Sequence, residues 1–299
     1  MRPLAPALLG LLLAACSVAG GPGSRQPPTA ANALQVVTTT TVFADLVRNV
    51  GKDRVTVSSI IPAGVGPEDY EPRPTDAKRV ADAQVIISNG AGLDDFLAKL
   101  VGPNARADAT RIVLGDGIEP IDVDGEPNPH FWLDPTLIID HYLPSIVNGL
   151  SRADPVDAAA FAQAAEAYAR ELRSLDAELK AEVETLPAAQ RKLVTMHDAF
   201  PYFARHFGFE LIGVILSNVG QEPTGGALAD LVAKVRAAHV RAVFSEAQFS
   251  PELARTLATE AGVKEVVTTL YNDALGPPPA DSYIGMMRWN MDHIVEALR

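Results

Sequence analysis

The sequence predicts an α/β protein of two lobes, each with a roughly four-stranded parallel sheet flanked by helices, joined by one long rigid helix. Three observations carry this. Short apolar, β-branched runs alternate with helical patterns over residues 34–114 and again over 192–299, and strands alternating with helices build parallel sheets covered on both faces. The two halves also open alike: "TTTTVFADLVRNVGKDRVTV" and "VTMHDAFPYFARHFGFELIGV" each read as strand, short polar loop, helix ending at Gly, and strand. Between them runs a single apolar stripe at spacings of three and four residues on an otherwise charged segment, the mark of one long amphipathic helix.

Met1 and Arg2 precede an apolar run from Leu4 to Ala15, too short to span a bilayer and the right length for a signal-peptide core. It ends in Leu13-Ala14-Ala15-Cys16, which resembles the lipobox of bacterial lipoproteins, in which the cysteine carries the lipid. Cys16 is the one cysteine of the chain, so no internal disulfide can form and acylation explains it better than redox chemistry. Residues 1–15 are therefore expected to be a leader. Residues 16–33, rich in Gly, Pro, Ser, Ala, Gln and Asn, bury too little apolar surface to fold and form a lipidated tether.

In the first lobe (34–150), strands are expected at Leu34 to Thr40, Val55 to Ile61, Gln84 to Ser88 and Ile112 to Leu114. Helices are expected over Val42 to Val50 with Gly51 as stop, Thr75 to Ala81 and Asp94 to Val101. The linking helix (151–187) starts with Asp154 as N-cap and Pro155 at its first position. It presents Phe161, Ala165, Tyr168, Leu172, Leu175, Leu179, Val183 and Leu186 on one face and spans ~48 Å at 1.5 Å per residue. Such a brace limits hinge opening. In the second lobe (188–299), strands are expected at Lys192 to Met196, Glu210 to Ile215, Arg241 to Ser245 and Glu265 to Leu270. Helices follow at about Ala199 to Phe207, Ala227 to Ala238, Pro251 to Gly262 and Asp281 to Leu298.

Formal charge is −12, and removal of residues 1–15 takes away Arg2 and makes it −13. Nucleic-acid binding wants a basic face and is excluded as a function class; cationic partners are favoured.

In open parallel sheets ligands bind beyond the carboxyl ends of strands. Glu68, His130, His197 and Asp273 occupy such places, two from each lobe. His130 stands in Asn128-Pro129-His130-Phe131-Trp132-Leu133-Asp134-Pro135, after an acidic, turn-forming approach (Asp122, Asp124, Gly125, Glu126, Pro127) and between two prolines. Those prolines remove freedom that an imidazole would otherwise lose on ligation. Two imidazoles and two carboxylates suit zinc, manganese or ferrous iron.

At these residues the chain resembles the solute-binding lipoproteins of bacterial ABC importers for zinc and manganese. The resemblance runs from Leu34 to Arg299 and rests on "GPEDYEPRPTD", "NPHFWLDP", "TMHDAFPYFARHFG", "SEAQFSPEL" and "DSYIGMMRWNMDHIVEAL" in that order. It implies one divalent metal, zinc or manganese with iron admitted, held between two lobes and handed to a membrane permease and its ATPase subunit. It implies a binding protein, not an enzyme: an extracytoplasmic, lipid-anchored monomer in the periplasm or at the cell surface. His130 and His197 fall where the family has ligand histidines and Asp273 where it has a ligand carboxylate. Glu246 falls where the family has an acid, and is assigned to orienting a ligand imidazole. One position departs. The family usually reads Asp-Pro-His before Tyr-Glu-Pro, whereas this chain has Gly66-Pro67-Glu68-Asp69, which makes Glu68 the expected ligand and Asp69 the alternative. The extra anion shifts preference towards manganese or iron, while the intrinsic affinity order still favours zinc.

His141, His206, His239 and His293 have no close ligand-spaced pair and are taken as ordinary helix residues. Trp132, Phe131, Tyr70 and Phe200 are expected to be cleft walls or core. The main rival class is a metal-dependent hydrolase built on His197-Asp198, but no Gly-Xaa-Ser-Xaa-Gly, His-Glu-Xaa-Xaa-His or phosphate-cradling loop accompanies it. A surface adhesin is a third class, suggested by the tether.

Overall fold

The computed structural model describes residues 33–67, 70–217 and 219–299; the expected leader, tether and Cys16, and Glu68 with Asp69, lie outside them. The first half runs β1 (Leu34–Thr38), α1 (Thr41–Gly51), β2 (Val55–Ser59), α2 (Pro74–Asp82), β3 (Val85–Ser88), α3 (Asp95–Asn104) and β4 (Thr110–Val113). The four strands form one parallel sheet in the order β2-β1-β3-β4. Central β1 and β3 are mostly apolar and buried because helices cover both faces.

A small hairpin follows, β5 (Asp122–Val123) and β6 (Glu126–Pro127). Its two-residue turn, Asp124-Gly125, has φ of 52° and 90°, the left-handed backbone that such turns demand and that Asp-Gly supplies at low strain. The chain then enters a helical run of α4 (Pro135–Leu137), a π turn (Ile138–Tyr142) and α5 (Leu143–Ala153).

The long helix α6 (Ala158–Glu184) begins three residues beyond the expected Pro155. Pro155 disfavours helical backbone at Asp154, which is non-helical at φ −135°, ψ 87° and ends α5 instead. At 27 residues α6 is ~40 Å long. Its buried stripe, Phe161 through Val183, packs on α1, α5, α7 and α10 and so on helices of both halves.

The second half runs β7 (Lys192–Thr195), α7 (Pro201–Phe207), β8 (Glu210–Val214), α8 (Gly225–Ala237), β9 (Ala242–Glu246), α9 (Glu252–Ala261), β10 (Glu265–Leu270) and α10 (Tyr283–Leu298). Where a four-stranded sheet is expected, the strands pair in parallel as β7-β8 and β9-β10. A register shift interrupts each pair, and β7 lies beside β9; such irregularities break a continuous ladder. Among the described residues no helix is long and apolar enough to cross a membrane.

His206 on α7 is structural. Its Nδ1 lies 3.1 Å from Asp134 Oδ1 and its Nε2 contacts Asp176 of α6. Burial alone would lower its pKa, but the bonds to Asp134 and Asp176 outweigh that and raise it above 6.5. A raised folded pKa means the contribution is full below 6.5 and is lost as pH climbs through the folded value. The stability advantage of the wild type over His206→Gln, read from urea midpoints, should therefore shrink as pH rises above 6.5; an advantage that grows would contradict it.

Candidate metal centre

The described ends of three segments converge where the halves meet. The β5-β6 hairpin delivers His130, β7 delivers His197, and β10 delivers Asp273. One ligand-type atom from each of the three lies within 4.8 Å of the others. All three side chains are buried, Asp273 completely.

Each imidazole is held by a partner on one nitrogen, which decides what the other presents. Asn128 Nδ2 donates to the Asp198 carbonyl at 2.7 Å, so its Oδ1 is the atom that faces His130 Nδ1 and the His130 backbone N–H, both at 3.1 Å. Nδ1 therefore carries the proton, and Nε2 presents a lone pair towards Asp273 Oδ1 at 3.3 Å. His197 Nδ1 lies 3.2 Å from Glu246 Oε1 at the end of β9. The Asn272 amide lies 3.2 Å from His197 Nε2 through its Nδ2, a donor, so Nε2 is the lone-pair side; it is 3.5 Å from Asp273 Oδ2. Carboxylate or amide behind the imidazole and a lone pair in front is the arrangement that orients metal-ligating histidines.

Two lone pairs facing one carboxylate repel unless a cation or proton sits among them. In the metal-free pocket a proton plays that part: burial pushes the Asp273 carboxyl up, but a hydrogen bond from His130 and the positive charge that His197 and His130 carry when protonated hold it below its ordinary value. Glu246 is also completely buried, and the buried charged groups among the described residues include no Lys or Arg. With neutral imidazoles the pocket holds two carboxylates, and a divalent cation is the compensation of matching charge.

The surroundings keep these groups in place. Tyr202 on α7 accepts from Ile121 N and donates to the Asn128 carbonyl, which fastens the hairpin base to the second half. Trp132 Nε1 donates to the Asn272 carbonyl at 2.8 Å, and Tyr283 of α10 donates to the Trp132 carbonyl at 2.8 Å. Trp132 is thus a wall of the site, 5.1 Å from the His130 ring, and Phe249 stands 5.2 Å from the His197 ring. The other expected wall residues are core: Phe131 packs on Tyr202, Phe200 on Phe203, and Tyr70 on Phe96, with its hydroxyl bonded to Asp76. A cleft of about 330 Å³ leads to His130 and His197 past Asp124, Glu126 and Asp198.

Of the expected residues, the structure brings together His130, His197, Asp273 and Glu246; Glu68 lies outside the described residues. The His197-Asp198 pair on which a hydrolase would depend is not formed as a base and its orienter, because His197 Nδ1 turns to Glu246. Asn128, Gln248 and Asn272 are polar partners that motif spacing does not single out. Asn128 alone had a signal, its place two residues before a proline-bracketed histidine.

Fold and site together define a two-lobed α/β binding protein with an interlobe centre for a divalent cation. The family model for the zinc-uptake complex component A, periplasmic, matches residues 36–297, and the chain belongs to that family. It is 31% identical over 285 residues to the manganese-binding lipoprotein MntA of Halalkalibacterium halodurans, covering 94% of each chain. It is 29% identical over 300 residues to the iron ABC transporter substrate-binding lipoprotein MtsA of Streptococcus pyogenes, covering 96% of this chain and 94% of that one. Among solved structures, the periplasmic zinc-binding protein TroA of Treponema pallidum superposes with a TM-score of 0.82 at 28% identity, covering 89% of this chain and 99% of that one.

Proposed function

We propose that this protein captures one divalent transition-metal ion outside the cytoplasm and delivers it to an ABC permease and its ATPase subunit. The observation that carries this is the buried trio of His130, His197 and the Asp273 carboxylate, within ligand reach of one another, with no buried Lys or Arg among the described residues to balance the acids. These three are the ligands, Glu246 orients His197, and Glu68, or Asp69 beside it, supplies the fourth donor. Relatives named for manganese, iron and zinc support a mixed nitrogen and oxygen set that accommodates all three ions. The metal is cargo: it is bound and released unchanged. Lipid on Cys16 holds the monomeric chain at the membrane, since several acyl chains anchor stably where one does not.

Elemental analysis of protein loaded with zinc or manganese and freed of excess tests the proposal. One equivalent of metal per chain is expected; none after either loading would overturn it.

A further inference from the structure

We propose that Gln248 fixes how Asp273 engages the metal, restricting it to one oxygen and so tilting the centre towards an ion satisfied by four ligands. The inference rests on the metal centre proposed above. Gln248 stands two residues past β9, partly exposed, on the segment whose Glu246 orients His197. Its Nε2 donates to Asp273 Oδ2 at 2.6 Å.

The Asp273 carboxylate straddles the two imidazoles. Oδ1 is 3.3 Å from His130 Nε2, and Oδ2 is 3.5 Å from His197 Nε2. An ion bound to both imidazole nitrogens would therefore face both carboxylate oxygens, and bidentate ligation is the default for this geometry. Gln248 changes that. Its amide N–H engages Oδ2, reducing what that oxygen can offer a cation, and places a positively polarised group on that flank, which leaves Oδ1 as the donor. Zinc is satisfied by four ligands in a tetrahedron, whereas manganese suits an oxygen-rich, six-coordinate shell. A device that subtracts one oxygen costs manganese more than zinc. One short segment thus aims a histidine through Glu246 and sets the denticity of an aspartate through Gln248.

The test is Gln248→Met in the full chain, which keeps the side-chain length and removes the donor to the buried Asp273 carboxylate; the melting of the metal-free variant is recorded beside it, so that a general loss of stability, which lowers both affinities alike, is told apart from a change in their ratio. Zinc and manganese affinities are measured by chelator competition, and the coordination number of bound zinc by X-ray absorption. Zinc affinity should fall about 10–100-fold, the range for groups that hold a ligand rather than the metal. Manganese affinity should fall less or rise, so that the ratio of the two moves at least about tenfold towards manganese, and the zinc shell should gain one oxygen. Affinities that are unchanged, or that fall in equal proportion with an unchanged shell, would overturn the role of Gln248 and leave the metal centre standing. A wild-type chain that takes up neither ion would overturn the centre and this inference with it.

Discussion

Replacing His130 or His197 by Ala should weaken zinc binding by more than about 100-fold, beyond the roughly tenfold to hundredfold range of residues that only orient a ligand. Each histidine would supply one of the lone pairs converging on Asp273, and the groups behind the rings, Asn128 and Glu246, sit on the far nitrogen and do not take its place. Three comparisons make the result diagnostic. Glu246→Gln keeps a hydrogen-bond acceptor for His197 Nδ1 but removes charge, and belongs within the range for orienting groups. His141→Ala, in the π turn on the other side of Trp132 in sequence, should leave affinity unchanged. Asp273→Asn should resemble the histidine variants, because it removes the anion that both imidazoles face. Equal losses at His130, His197 and His141 in chelator competition would refute the assignment.

Metal loading should raise the melting temperature by roughly 8–16 °C at a thousandfold excess of free ion over its dissociation constant. The estimate follows from about 4 kcal/mol of native-state binding at that excess and a shift of about 2–4 °C per kcal/mol for chains of this size. The structural reason is connectivity. The three proposed ligands among the described residues leave the hairpin after the first sheet, the end of β7 and the end of β10, so one ion would tie together segments that must separate when either half unfolds. Binding to the native state alone is what makes the shift large, and chelator should abolish it. Asp273→Ala should melt at one temperature with and without metal; a variant that still gains stability on loading would place the bound ion elsewhere.

The α/β alternation was legible because most strands here are short apolar runs bounded by helices with clear ends, such as Gly51 as the last residue of α1 and Gly262 after α9. What sequence could not show follows from local chemistry. Pro135–Ala153 is helical, yet the π turn at Ile138–Tyr142 inserts an extra residue and breaks the apolar period by which helices are recognised. Asp154-Pro155 carries the signature of a helix start and instead closes the preceding helix, with Asp154 accepting from Val156 N. The separation of β7-β8 from β9-β10, and the register shift inside each pair, are announced by no residue pattern. At the centre, His130, His197 and Asp273 were readable as chemistry at strand ends. Their partners Gln248 and Asn272 were not, because a neutral amide gains its role only from the side chain that folding places opposite it. The walls split for the same reason: Trp132 meets His130, while Phe131 and Phe200 turn into the core.

The central claim is that one cation is held between the halves by donors from both. Anomalous diffraction from crystals of the loaded protein, recorded at the zinc and manganese edges, tests it directly. A single peak per chain within bonding distance of His130 Nε2, His197 Nε2 and Asp273 is the expected result. A peak bound to residues of one half alone, or no peak in this pocket, would contradict it.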